Sequence, residues 1–321
     1  MINPKITNNN GLKVIDEFFN FDIPLSLIFH KYIVSSHLIN LDIYFTCKDS
    51  FVLSLLSNYF DFTNDIRTGT QNLIVRFDLI DSNSFFDGFR NWSIEEKDGI
   101  EIGNDNLGKK FYLYNYILVK SSLSGQYIEV YYKNNEQLQK NFFWIIKTIE
   151  SRIALLNISN MSDVVHGDLY KDDKGKLILA FGPSLSGKTS YFNSLSSLSL
   201  IGDEILCVTK EYIFPLVNYV RKYVSSTTNI TYYEDYKGII RSVAKQVPIK
   251  KYLSSDIKEI NILYRSNSNK IVHVKNQKEK AQILLQYFNN GVLQPFLETK
   301  GNFELITSKL CKKDLNIIYH K

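Results

Sequence analysis

Cysteine is scarce in this chain of 321 residues, and the three present, Cys47, Cys207 and Cys311, lie far apart with no CxxC among them. That spacing argues against a zinc site or a disulfide framework and fits a reducing cytoplasm. Long apolar runs are also missing: none approaches the ~18 residues of a membrane span. The opening "MINPKITNNNGLKVIDEFF" lacks the extended apolar core of a signal peptide. Charge of one sign is in short supply too, since 38 Lys and Arg against 33 Asp and Glu leave a formal net charge of +5. This mild excess suits an anionic ligand but is too weak and dispersed for nucleic acid. The expectation is a soluble cytoplasmic protein with neither nucleic acid nor membrane as a partner.

What is present is ordinary for a globular chain, with hydrophobic residues at 44% and charged residues at 22%. The length allows two domains. The 21 Tyr and 21 Phe accompany abundant Asn, Ile and Lys, a bias that an AT-rich coding sequence would produce, so it carries no functional weight. "NLIVRFDLI", "KKFYLYNYILVK" and "QYIEVYYK" are rich in β-branched and aromatic residues and predict strands, with "SSLSGQ" as the hairpin turn between the last two. "GLKVIDEFF" and "KDSFVLSLLSNYF" predict helices, the second capped by Asp49 or Ser50. In "NEQLQKNFFWIIKTIESRIALLNIS" the apolar Leu138, Phe142, Ile145, Ile149 and Ile153 recur at helical spacing. These patterns place a strand-rich α+β domain over residues 1–140 and a second domain over 141–321, with the boundary at "KNNEQ".

In the second half, "DVVHGDLYKDDKGKLILAFGPS" predicts two strands joined by a polar turn at "KDDKG". A helix is expected from Thr189 to about Ser197, then a strand "LSLIGDEILCV" interrupted by Gly202. "IKEINILYRSN" and "KIVHVKN" alternate like a hairpin around "SNSN", and "QKEKAQILLQYFNN" predicts a helix ending at Gly291.

The segment from Gly182 to Thr189, "GPSLSGKT", satisfies G-x-x-x-x-G-K-[ST] between a buried strand and a helix. The chemistry explains the residue types. Gly182 and Gly187 permit conformations and close approach that side chains would block. The backbone after Pro183, which has no N–H of its own, can then turn the amide N–H groups of Ser184, Leu185, Ser186, Gly187, Lys188, Thr189 and Ser190 onto phosphate oxygens. Lys188 can reach the outer phosphates, and the Thr189 hydroxyl can ligate Mg²⁺. A chance Gly/Ser turn is the plainer alternative, and the strand–loop–helix context argues against it. Asp203 and Glu204 follow about 14 residues later at the end of an apolar strand, an arrangement suited to metal binding. His166 lies on the strand before the loop strand, where a hairpin would bring it to the loop's end of the sheet. A GTPase reading is weak: "DDKG" precedes the loop, and "NKIV" lacks the Asp of a guanine-reading N-K-x-D.

His166-Gly167, the loop Gly182–Thr189 and the acidic pair Asp203-Glu204, in that order, resemble the HPr kinase/phosphorylase family, whose nucleotide-binding core is shared with phosphoenolpyruvate carboxykinases. The likeness covers residues 140 to about 265, and the helix carrying Arg152 looks similar as well. The family usually has Asp where this chain has Glu204, and the signature for HPr docking and the phosphorylase reaction is not visible. The closer resemblance is to stand-alone HPr-kinase-like proteins of peptide natural-product pathways, including lasso-peptide kinases that phosphorylate a C-terminal Ser. The resemblance implies an α/β (α+β) P-loop core of mixed sheet and helices, and ATP with Mg²⁺. It implies that Lys188 binds phosphates, that Thr189 ligates the metal, and that His166 sits beside the transferred group. Asp203 and Glu204 would divide the tasks of base and metal ligand, with Asp203 favoured as base and Glu204 as ligand, although Asp203 is a candidate ligand too.

Among the basic residues Arg221, Lys222, Arg241, Lys245, Lys250, Lys251 and Arg265, which could complete the site, Arg241 is the favoured choice because it follows the apolar "GII". The function expected is a kinase acting on a hydroxyl, a peptide Ser or a small alcohol. The alternatives are a nucleotide-hydrolysing switch without a transfer substrate and a binding module with a degenerate site. The strand-rich first domain could hold an extended peptide along a sheet edge, act as a lid or form a homo-oligomer contact.

Overall fold

Strands whose side chains alternate between two faces dominate the first half of the chain, and in the computed structural model they form one nine-stranded sheet. The structure describes residues 32–38, 41–60, 62–63, 71–97, 99–122, 126–157, 162–183, 186–203, 205–217, 219–223, 232–234, 240–245, 250–289 and 309–321. The helix expected at "GLKVIDEFF" lies outside the described residues. The class is α+β, with several mixed sheets and few helices.

The chain divides into two compact units, residues 1–152 with 231–241, and residues 153–230 with 242–321. The division falls after Arg152, inside the helix Asn135–Asn157 and later than the expected boundary near residue 140. Packing explains the shift, because the stripe of that helix lies against the first sheet. The Phe142 ring stacks on Phe77 with centroids 6.3 Å apart and also meets Tyr59.

The strands of the first unit are β1 (Tyr32–Leu38), β2 (Leu41–Cys47), β3 (Phe62–Thr63), β4 (Gln71–Leu79), β5 (Ser93–Lys97), β6 (Ile100–Asn104), β7 (Lys110–Tyr114), β8 (Ile117–Ser121) and β9 (Tyr127–Tyr132). They are ordered β3-β1-β2-β4-β9-β8-β7-β6-β5. Phe45, Val75, Phe77, Ile128 and Val130 are buried, and register puts Val75 beside Phe45 and Ile128, and Phe77 beside Val130. The opposite face carries Arg76, whose guanidinium pairs with Asp78 on β4 and approaches Glu129 on β9. Asp49 caps the helix Ser50–Leu56, its Oδ1 accepting from Phe51 N at 2.8 Å, as the sequence predicts. "KKFYLYNYILVK" is two strands, not one. It turns at Asn115 and Tyr116, both with positive φ (47° and 61°), the two-residue hairpin geometry whose twist matches the strands.

In the second unit the chain forms β10 (Ser162–His166), β11 (Asp168–Asp172), β12 (Leu177–Phe181), β13 (Leu198–Gly202), β14 (Ile205–Thr209) and β15 (Tyr212–Pro215). Later strands of this unit are β16 (Tyr219–Tyr223), β19 (Tyr252–Leu253), β20 (Ile257–Arg265), β21 (Lys270–Val274) and β22 (Asp314–His320), while β17 (Tyr232–Glu234) belongs to the first unit and β18 (Ile240–Lys245) spans the division. One sheet has the order β13-β11-β12-β20-β22-β21 and another β10-β14-β15-β19. A shared core of Val165, Leu206 and Ile213 from the smaller sheet meets Leu179, Phe181, Ile260 and Ile262 from the larger, with Leu284 of the helix Gln277–Asn289.

The segment read as one strand through His166 and Gly167 is therefore split between two sheets, as is the segment interrupted at Gly202. Gly167 makes the crossing possible: an added Cβ would stand 2.7 Å from the Ala180 carbonyl oxygen and 2.9 Å from the Phe181 ring. The turn at Asp172 is as predicted, with its Oδ1 accepting from Lys174 N and Lys176 N. The expected hairpin of β20 and β21 is corrected. β22 lies between them, parallel to β20 and antiparallel to β21, because the apolar β20 is a central strand that buries both neighbours' ladders.

Gly167→Ala is expected to lower the stability of the second unit by about 1–3 kcal/mol, since the clash is with backbone. Gly202→Ala should cost less, because its Cβ would meet only side-chain atoms of Leu206 and Pro215. Thermal melts of the two variants check the order.

Candidate functional site

The loop from Gly182 leaves the end of β12, whose five residues are all buried. β12 is flanked by β11, antiparallel, and β20, parallel. Gly182 is required by close approach: a Cβ there would lie 2.6 Å from the Leu263 carbonyl oxygen and 2.6 Å from Ser186 Oγ. Gly187 sits at φ +79°, the left-handed region that favours glycine, and its Cβ would meet His320 Cε1 at 3.0 Å. Ser186 N donates to Pro183 O at 3.1 Å, so the loop closes on itself. The helix that follows, Lys188–Asn193, stops four residues short of the expected Ser197. Ser190 is exposed on it. Ser184 and Leu185 lie outside the described residues, as does the side chain of Thr189.

Two buried polar groups mark this loop. Lys188 is only 9% exposed, and its Nζ donates to the Gly182 carbonyl oxygen at 3.1 Å. Among the described residues it has no carboxylate partner. A buried ammonium without a counter-charge is costly unless an anion joins it. Ser186 Oγ is buried with no hydrogen-bond partner among the described residues. A glycine-bounded cradle, with a hydroxyl that lacks a hydrogen-bond partner and an ammonium that lacks a carboxylate partner among the described residues, fits a phosphate group.

The acidic residues converge on the same end of the sheet. Register pairs His166 with Ile205 and Leu169 with Gly202. His166 and Leu169 therefore stand opposite Ile205 and Gly202 where the strands change sheets, with Asp168 and Asp203 next to the second pair. Asp168 also pairs with Ala180, two residues before Gly182, so this crossing adjoins the loop. Asp203 is buried and His166 half-buried. Glu204 lies outside the described residues. Asp168 was missed from sequence. It is 1% exposed, and its Oδ2 accepts from Tyr170 OH at 3.2 Å. Burial, then the Asp168 and Asp203 carboxylates, push the Tyr170 phenol well above its ordinary value. An Asp after His-Gly at the start of a strand was the available signal.

Arg152 lies in the first unit, where its Nη2 donates to Ser121 Oγ on β8. Arg241 belongs to β18 and to the first unit, and its side chain lies outside the described residues. Among the described residues no three His, Cys, Asp or Glu side chains form a metal-holding group. Magnesium does not require one, since it binds through one or two carboxylates plus phosphate oxygens and water. Asp203 with the Thr189 position is compatible with that habit. Among the described residues no helix is long and apolar enough to cross a membrane. Compared with known protein families and characterised proteins, the chain matches no family model and no curated sequence.

Ser186→Ala separates ligand binding from folding. Removing an unsatisfied buried hydroxyl should leave stability unchanged or raise it by up to ~1 kcal/mol. The same change should weaken phosphate binding. A melt showing clear destabilisation would mean that the hydroxyl has a structural partner.

Proposed function

We propose that the chain is a kinase of P-loop type that transfers the γ-phosphoryl group of ATP to a hydroxyl. The observation that carries this reading is the buried Lys188, without a counter-ion among the described residues, inside a loop that only glycine can close at Gly182 and Gly187. The adjoining Asp203 and His166 support transfer over mere binding. The mixed sheet, with the loop strand between an antiparallel and a parallel neighbour, is compatible with the HPr-kinase-like core.

In this reading the loop amides and Lys188 hold the phosphates and orient the terminal group. Thr189, Asp203 and Glu204 are the residues that would hold magnesium, which when bound neutralises phosphate charge. The acceptor oxygen bonds to the γ-phosphorus as the bond to the β–γ bridging oxygen breaks. ADP leaves, and the acceptor proton passes to the Asp203 carboxylate. Phosphoryl transfer is mostly positioning and charge stabilisation, so few groups suffice. A peptide Ser is the acceptor favoured by the resemblance to peptide-pathway kinases, and a small alcohol is the other acceptor class.

Lys188→Ala is expected to weaken ATP binding and abolish turnover, read by calorimetry and product assay. Asp203→Asn should fold, bind ATP and transfer slowly, since a general base contributes ~10²–10⁴-fold. Incubation with radiolabelled ATP, precursor peptides and a panel of alcohols decides the acceptor. Label on a peptide Ser supports the reading, and label on an alcohol moves the substrate class. Free phosphate alone, across the whole panel, favours a hydrolysing switch.

A further inference from the structure

The basic residue that completes the loop is legible from the parallel strands beside it. β20 and β22 run parallel to each other, and β20 runs parallel to the loop strand β12. Ligands in such sheets bind beyond the carboxyl ends of the parallel strands. Arg265 and His320 end β20 and β22 and are register partners. Strand alternation puts them on the face of Leu263 and Ile318, which pack with Phe192 of the helix after the loop. Both therefore emerge at the rim of that apolar patch, alongside Gly187.

The contacts bear this out. His320 Nε2–H donates to the Ser186 carbonyl oxygen at 2.7 Å, and its ring meets the Tyr191 ring with centroids 5.1 Å apart. A Cβ on Gly187 would stand 4.0 Å from Arg265 Nε. Arg265 is exposed and makes no ion pair among the described residues. The guanidinium thus lies within reach of the loop with no ion-pair partner among the described residues, a fork whose donors match phosphate oxygens.

We propose that Arg265 and His320 form the second, basic wall of the phosphate loop. Arg265 binds the terminal phosphate of the nucleotide, and His320 is a positioning residue that fixes the loop through Ser186. The inference rests on the nucleotide-binding reading and assigns to Arg265 the role that sequence favoured for Arg241.

The test is calorimetric titration of ATP and ADP into the full chain and its variants. Arg265→Ala should lower ATP affinity roughly 10- to 100-fold, the range of one charge-assisted hydrogen bond or pair, with a smaller loss for ADP. Arg265→Lys should recover only part of it, because a point charge replaces a fork. Both should melt as the wild type does, the side chain being exposed. His320→Ala should lower affinity for ATP and ADP alike, and His320→Gln, which can still donate to the Ser186 carbonyl, should restore much of it. ATP affinity unchanged in Arg265→Ala, while Lys188→Ala loses it, overturns the Arg265 assignment and leaves the kinase reading standing. An unchanged His320→Ala, or no rescue by Gln, overturns the positioning role. A wild-type chain that binds neither nucleotide overturns both the inference and the reading beneath it.

Discussion

The second unit depends on a steric constraint at Gly167. An antiparallel ribbon, β10 and β11 on one side and β13 and β14 on the other, has to leave the larger sheet and enter the smaller one. At the bend the backbone passes so close to Ala180 that no Cβ fits. The crossing interrupts the ladder and buries polar residues that an uninterrupted strand would not bury. Asp168 and Asp203 are those residues, and they end up beside the exit of the loop strand. The bend that lets two sheets share one core is thus also what gathers carboxylates at the loop.

That gathering has an electrostatic consequence. Two buried carboxylates repel each other and repel any phosphate brought near them, and low local dielectric strengthens the repulsion. Tyr170 relieves part of it by donating to Asp168. An anion can share the region only if cations stand between it and the acids. Lys188 is buried at the loop, and Arg265 stands at its rim. Acids at the crossing and bases along the loop are the charge layout that the proposed metal–phosphate complex would need.

How much of this could be read from sequence follows from how local each cause is. The Asp49 cap, the stripe on Asn135–Asn157 and the Asp172 turn are set by neighbours within a few residues, and each stands where it was expected. The order of His166, the loop and Asp203 was legible for the same reason. The Asn115–Tyr116 turn was not, because Tyr at positive φ runs against steric preference and is held by the strands on either side. The insertion of β22 between β20 and β21 was hidden, since parallel pairing links residues far apart and leaves no turn signal. Arg265 was indistinguishable from other basic residues until β20 ran past the end of β12 and set it beside Gly187.

The loop's shape is therefore a non-local property of a local motif. Gly182 is confined by the carbonyl of Leu263 on β20, and Gly187 by the ring of His320 on β22. Neither constraint exists in the segment alone. The motif supplies the freedom to adopt the conformation, through glycine, and the later strands remove that freedom once the sheet is assembled. Folding must bring β20 and β22 alongside β12 before the Ser186 hydroxyl and Lys188 are buried. The cost of burying them is borne by the apolar core on which those strands pack, where Leu263, Ile318 and Phe192 meet Ile178 and Ala180. Lys188 and Ser186 are thus held at the loop by strands far from them in sequence, and not by the segment that carries them.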